Sequence, residues 1–448
     1  MIYEAEDGVR FGGVAFDNRI PGYSGRGYVT GFHNDKCAVE FNVGVPADGF
    51  YDLSIGYSAY YPKINPVFVN GSMQGDRFFP RTEGFSQLAF GRIRLHSGSN
   101  VIRIGSHWGE LDIDNIQIAP APNPVPFRLS SEPVTPDASP ETRKLYSTLV
   151  RLFGDKILTG QQDEHGLRLD YIAKKTQGKS PIVLGLDLLN YSGAYNRPDG
   201  QIERARDWVL NRKGIVTLSW HWFSPFGATE EVWKSFSANK TTFDPRGISD
   251  ESSPEYAAVI KDMDLIAGHL KVLRDDHVPV LWRPLHEAEG GWFWWGAFGP
   301  EVTKHLYRLM FDRFTRIHGL NNLIWVWTTT DNPNARTWYP GDDVVDIIGA
   351  DIYAPRGSQG TFLSVFDNLR GLYGGRKAIA LAETGTTLDP DELARDGAPW
   401  LWFLVWDDFI SRPEFNPIDR TARVYENSHA VVIDPSIGVS SAAIPNFP

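Results

Sequence analysis

The sequence predicts a multi-domain chain in which a small all-β sandwich precedes a closed (β/α)8 barrel. Three features lead there. Residues 1 to about 119 are short alternating runs separated by Gly, Asn and Asp. A nine-residue stretch with four prolines follows. Beyond it, eight short apolar runs alternate with long helical patterns.

The first region supplies "VEFNVGV", "YDLSIGYSA", "RIRLHSGSNVIRIGS" and "LDIDNIQIA". Period-two alternation with turn residues between runs is the pattern of antiparallel strands, each burying one face. The proline stretch "APAPNPVPF" (119–127) removes backbone donors and stiffens the chain, as a spacer does. The expected domains are therefore 1–119 (sandwich), 120–137 (linker) and 138–448 (barrel).

In the third region the helices are marked by their starts. Ser139-Pro140 and Ser253-Pro254 each pair a capping hydroxyl with a proline in the first turn, and "GPEVTKHLYRLMFDRFTRIHG" ends on Gly319. Between the helices lie eight candidate strands: 156–162, 181–188, 215–222, 278–287, 322–329, 345–353, 377–385 and 400–408. Nearly continuous apolar strands are buried on both faces, which in a strand–helix alternation means a parallel sheet. Eight of them in about 290 residues match a closed barrel, with a doubly wound open sheet as the alternative.

Composition narrows the partners. The 448 residues carry a formal charge of −11, leaving no broad basic field for nucleic acid or an anionic membrane. No apolar stretch is long enough to span a bilayer, and "MIYEAEDG" lacks the regions of a signal peptide, reading as the start of a mature chain. Cys37 is the only cysteine, so an intrachain disulfide is excluded. Sequons at Asn70, Asn190 and Asn239 are compatible with secretion. Nothing suggests an obligate interface, so a monomer is expected.

Barrel chemistry sits where strands end. Gln161, Gln162, Asp187, His221, Glu287, Asp351, Tyr353, Glu383, Asp407 and Asp408 all fall at or near such ends. Glu287 and Glu383, 96 residues apart in sequence, are expected to face one another across the barrel mouth. Two facing acids are the minimum apparatus for breaking a glycosidic bond: one protonates the departing oxygen while the other remains ionised. Glu287, beside "WFWW", is the expected proton donor, because apolar walls raise a carboxyl's pKa. Glu383, among small residues in "ALAETG", is the expected anion if Tyr353 or Arg283 reaches it. If it acts as a nucleophile, the carboxyls should stand about 5 to 5.5 Å apart.

Fourteen of the fifteen tryptophans follow residue 120, several near strand ends. Indoles stack on sugar faces, which makes Trp222, Trp292, Trp327 and Trp406 candidate platforms, with Glu289 at the rim. Trp282, Trp325 and Trp402 are assigned to the core. His286 and His221 either bond the catalytic pair or substrate, or are structural. Arg283, placed inside the barrel by pleat parity with Glu287, must be paired. "HEAEG" is not a zinc-protease motif, since Gly290 stands where a second histidine is required, and neither a P-loop nor a G-x-S-x-G elbow occurs.

"WRPLHEAEGGWFWWG" with "ALAETG" and "GADIY" resembles glycoside hydrolase family 26, over roughly residues 125–440. The resemblance implies a (β/α)8 barrel, most often an endo-β-1,4-mannanase, acting with retention and without a catalytic cofactor. It makes Glu287 the acid/base, Glu383 the nucleophile, Tyr353 the nucleophile's hydrogen-bond partner, His221 a substrate contact, and Trp292 and Trp406 subsite platforms. Ala288 and Glu289 depart from the Met-Asn of many members. Xylan and mixed-linkage glucan are alternative substrates, and a noncatalytic polysaccharide-binding protein is the alternative from another class. "YEAEDG" and "LDIDNIQI" resemble the ends of carbohydrate-binding module family 35, which implies polysaccharide binding and a structural calcium that Glu4, Glu6 and Asp114 would hold. Trp108 and Tyr60, with Tyr61, are its candidate sugar platforms. The pairing of module and barrel implies a secreted, extracellular enzyme acting on mannan, galactomannan or glucomannan.

Overall fold

The computed structural model describes residues 1–107, 110–331 and 333–439. Two compact units emerge: Met1–Val125 with Ala354–Gly371 and Asp391–Ala398, and the remainder, Pro126–Tyr353, Leu372–Pro390 and Pro399–Pro448.

Residues 1–120 form two antiparallel sheets, one of six strands and one of five. The longest pairing joins Gly49–Ser58 to Ser86–Leu95 and to Asp112–Pro120 in the first sheet; Ala38–Val45 pairs with Gly98–Gly105 in the second. Inward residues alternate with outward ones, so Ile55, Ile93, Ile113 and Ile116 of one sheet and Phe41, Val43, Ile102 and Ile104 of the other share one core. Cys37 is buried at that core. The expected sandwich is therefore present.

The barrel strands are β1 (Ile157–Gln162), β2 (Val183–Asp187), β3 (Ile215–Ser219), β4 (Val280–Arg283), β5 (Leu323–Thr328), β6 (Ile347–Ile352), β7 (Ala378–Thr384) and β8 (Trp402–Val405). Each pairs in parallel with the next, and β8 pairs with β1 through Leu158↔Trp402 to Gln161↔Val405, which closes the barrel and removes the open-sheet alternative. Strand residues are buried on both faces, as their apolar runs predicted. A further strand, Ala430–Asp434, not foreseen in the sequence, pairs with the start of β1.

The helix starts follow their caps. Ser139 Oγ accepts from Thr142 N at 3.1 Å and Ser253 Oγ from Tyr256 N at 2.9 Å, each ahead of a first-turn proline. The helix Pro300–Asp312 passes into a π-helical turn, Arg313–Ile317, before Gly319 reverses the chain. Among the described residues no helix is long and apolar enough to cross a membrane.

Candidate active site

β4 stops at Arg283, four residues short of Glu287, so pleat parity does not carry that acid into the barrel mouth. A turn does so instead. Leu285 and Glu287 both adopt left-handed backbone, with φ of 52° and 53°. That region is costly for a residue with a branched or long side chain and is retained where surrounding packing enforces it. Trp295 supplies part of the enforcement, donating from Nε1 to the His286 carbonyl at 2.9 Å.

Glu383 reaches the same place from β7. The β6–β7 register slips between Ala350 and Asp351, so that Asp351 pairs with Glu383. Such a bulge re-aims side chains at a strand end. One carboxylate oxygen each from Glu287, Asp351 and Glu383 lies within 4.8 Å of the others. That spacing brings the two glutamates within reach of a single bond between sugars.

The two glutamates have different surroundings. Glu383 Oε1 accepts from Arg283 Nη2 and Oε2 accepts from Tyr353 Oη at 2.7 Å, so both oxygens of its ionised form are satisfied. Arg283 is buried inside the barrel and also donates from Nη1 to Asp351 Oδ2 at 3.2 Å and to Thr328 Oγ1 at 3.3 Å. Glu287 receives a single indole N–H, from Trp292 Nε1 at 2.9 Å. Burial first, and then the negative charge of Glu383, hold the Glu287 carboxyl above its ordinary pKa. Glu287 is thus arranged to keep a proton, while both Glu383 oxygens are engaged by donors.

Beside the pair, His221 Nε2 lies 3.1 Å from His286 Nε2, and His221 Nδ1 lies 2.6 Å from Asp187 Oδ2. Burial opposes charge on His221, but the Asp187 carboxylate outweighs it and raises that pKa. Burial, followed by the charges of Arg283 and His221, drives the pKa of His286 far down. The opposite shifts favour a proton on His221 over one on His286.

Residues 134–435 match the model of glycosyl hydrolase family 26, and residues 1–121 that of carbohydrate binding module family 35. The chain belongs to glycosyl hydrolase family 26. It is 40% identical to a mannan endo-1,4-beta-mannosidase of Thermothelomyces thermophilus, over 96% of this chain and 89% of that one. Among solved structures, the Podospora anserina GH26-CBM35 β-(1,4)-mannanase is 38% identical with a TM-score of 0.68, covering 98% of this chain and 99% of its own. A ruminal GH26 endo-β-1,4-mannanase is 27% identical with a TM-score of 0.71, covering 100% and 99%.

The family 26 barrel uses its tryptophans in two ways. Trp292 is 52% exposed and Trp406 half-buried, its ring 6.0 Å from that of His221, so both offer a face at the site. Trp222 and Trp327 do not, and the platform assignment of these two is corrected. Trp222 is fully buried, stacked on Trp220 at 4.1 Å and donating to Asp262 Oδ2 at 2.8 Å. Trp327 is fully buried with its ring edge-on to Tyr307. It lies two residues after Trp325 on β5 and so shares a face with a residue already assigned to the core, a sign available in the sequence. Trp220, Trp294 and Trp295 are likewise buried. Glu289 is half-buried, and its oxygens accept from the Thr329 and Thr330 hydroxyls, which ties the loop after β4 to the loop after β5. Asp187 and Asp351 received no role from the sequence, although both lie on strand ends where barrel chemistry gathers.

Trp292 owes its placement to a glycine. A Cβ on Gly290 would lie 2.0 Å from the indole ring, inside any permitted contact. Gly290→Ala is therefore expected to displace Trp292 and its bond to Glu287, lowering kcat/KM about 5- to 10-fold, the scale of one lost hydrogen bond. Steady-state kinetics beside a Trp292→Phe control would check it, the two variants being expected to fall together.

In the module, Glu4 Oε2 accepts from Ser24 Oγ at 2.7 Å, Asp114 Oδ1 from Ser24 N at 2.9 Å, and Glu6 Oε1 from Arg26 N at 2.6 Å. Glu6 Oε2 is buried without a hydrogen-bond partner. Ser24 Oγ also lies 3.3 Å from Asp114 Oδ1, and a Cβ on Gly25 would meet Glu6 Oε1 at 2.4 Å and Glu4 Cδ at 3.0 Å, so the three acids surround the Ser24-Gly25 turn. Tyr60 is 72% exposed, its ring edge-on to Tyr61 with Arg81 over its face. Trp108 lies outside the described residues.

Proposed function

We propose that this family 26 glycoside hydrolase cleaves internal β-1,4-mannosidic bonds of mannan, galactomannan and glucomannan by double displacement, with retention. The observation that carries it is the close Glu287–Glu383 pair, one acid half-buried and bonded by the Trp292 indole and the other buried and bonded by Arg283 and Tyr353. In the first step Glu287 gives its proton to the departing glycosidic oxygen while Glu383 attacks C1. In the second, Glu287 takes a proton from water, whose oxygen displaces Glu383 from C1. Trp292 and Trp406 supply apolar faces for sugar rings. The Asp187–His221–His286 contact, in which Asp187 favours the charged form of His221, stands beside the reacting carboxyls.

Mannan is the substrate favoured by the names of the Thermothelomyces thermophilus and Podospora anserina relatives. Reducing-sugar release should be greatest on mannan and galactomannan in a panel that includes xylan and mixed-linkage glucan. Preferential release from either of the last two would replace the substrate assignment.

The same reading makes residues 1–119 a polysaccharide-binding module, 120–137 a linker and 138–448 the catalytic domain of a monomeric extracellular enzyme, with Tyr60 a sugar contact. A module calcium held by Glu4, Glu6 and Asp114 is supported by the buried, unpartnered Glu6 Oε2. If calcium is held there, EDTA is expected to lower the module's melting temperature by about 5 to 10 °C, from the loss of a ligand bound only by the folded state. A melting curve unchanged by EDTA and by added calcium would remove the ion from the account.

A further inference from the structure

We propose that Asp351 is a positioning residue for the second half of the reaction, keeping Arg283 paired and in place while Glu383 is tied up as a glycosyl ester. The proposal rests on Glu383 being the nucleophile of a double displacement.

The reasoning starts from a buried cation. The Arg283 side chain is 2% exposed and bonds two carboxylates, Glu383 through Nη2 and Asp351 through Nη1 at 3.2 Å. A guanidinium in such a place is costly unless an anion stays with it. In the first chemical step a Glu383 oxygen forms a bond to C1, and the electron pair of the broken glycosidic bond leaves on an oxygen that takes the Glu287 proton. Glu383 is then a neutral ester, while Arg283 keeps its charge. Among the described residues, Asp351 is the other carboxylate ion-paired with Arg283.

The geometry around Asp351 suits that task. The bulge between Ala350 and Asp351 sets its side chain beside Glu383. Its side chain is 5% exposed, Oδ2 meets the guanidinium, and the buried Oδ1 has no donor of its own, with the Glu287 carboxyl close enough to add to the rise in its pKa. Burial and then the charge of Glu383 push the Asp351 carboxyl well above the usual range, with Arg283 pulling the other way. Esterification removes the Glu383 charge, which favours ionised Asp351 at the stage where Arg283 has lost its other anion.

Glu287 is the reason this matters for rate. Its carboxylate lies within the same 4.8 Å cluster. An Arg283 left without Asp351 would draw on the ionised Glu287 and weaken it as the base that must accept a proton from water. The water oxygen then bonds C1, and the electron pair of the ester bond returns to Glu383, restoring the starting pair.

The test is pre-steady-state hydrolysis of 2,4-dinitrophenyl β-mannobioside by the full chain and by Asp351→Asn, which keeps shape and an acceptor but removes the charge. This leaving group needs no proton, so the first phase reports attack by Glu383 alone. Asp351→Asn is expected to release a burst near one dinitrophenolate per enzyme at a rate within about threefold of native, followed by a steady rate lowered about 30- to 100-fold, as for a buried charge left unpaired. The burst also demonstrates a folded site. Slowing of both phases in equal proportion, or a native steady rate, would overturn the role. Labelling of the native chain by 2-deoxy-2-fluoro-β-mannobiosyl fluoride, followed by peptide mapping, tests the parent reading separately. A label on Glu383 supports double displacement whatever Asp351 does, and a label elsewhere, or none, removes it.

Discussion

Glu383→Ala is expected to lower kcat on mannan by at least about 10⁴-fold, the scale seen when a nucleophile that acts as part of a unit is removed. The reason lies in the bonding: both oxygens of Glu383 accept from donors, Arg283 and Tyr353, that hold the side chain in place. Alanine removes the attacking oxygen and leaves a cavity facing C1. Azide added with an activated aryl β-mannobioside is expected to enter that space and give the α-mannosyl azide, of inverted configuration. The product's stereochemistry, read by NMR, identifies the missing group as the nucleophile. A β-azide from this variant would assign it to the opposite role.

Glu287→Ala should behave differently. General acid–base catalysis contributes about 10² to 10⁴-fold, so mannan hydrolysis falls by that range, while a dinitrophenyl leaving group, which needs no proton, forms the glycosyl-enzyme at close to the native rate. Azide is here expected to rescue turnover with retention, giving the β-azide. The pH profile adds a second check. Because burial and the Glu383 charge raise the Glu287 pKa, the acid stays protonated to higher pH than an ordinary glutamate, and kcat/KM declines only as pH rises through that raised value. The variant is expected to lose this alkaline limb. Its persistence would mean that another group donates the proton.

The fold and the two glutamates were legible in the sequence for a common reason. Apolar runs of strand length, alternating with capped helices, announce a parallel barrel, and a barrel announces where its polar residues must act. Boundaries were less legible where the chain departs from its pleat without turn residues to mark the departure. The fourth strand was expected to run to Glu287, yet Leu285 and Glu287 turn left-handed with neither Gly nor Asn at those positions. The aromatic excess misled for another reason: an indole near a strand end can face sugar or pack under the loop, and only its neighbours decide. Trp292 leans over Gly290 into the open, whereas Trp222 gives its N–H to Asp262 beneath the surface. The pairing of Asp351 with Glu383 depends on a one-residue slip between strands, which no local pattern encodes.

The left-handed pair flanking His286 bears on any effort to make the enzyme tolerate heat. Leu285 and Glu287 occupy backbone states that their side chains oppose, but Leu285 is 1% exposed, so Leu285→Gly would relieve that opposition only by opening a cavity that costs more and would lower the melting point. The same exchange frees the turn in the unfolded chain and loosens the segment that aims the proton donor. A library search scored on thermal survival would therefore retain Leu285, and the left-handed turn that carries the proton donor would be kept with it.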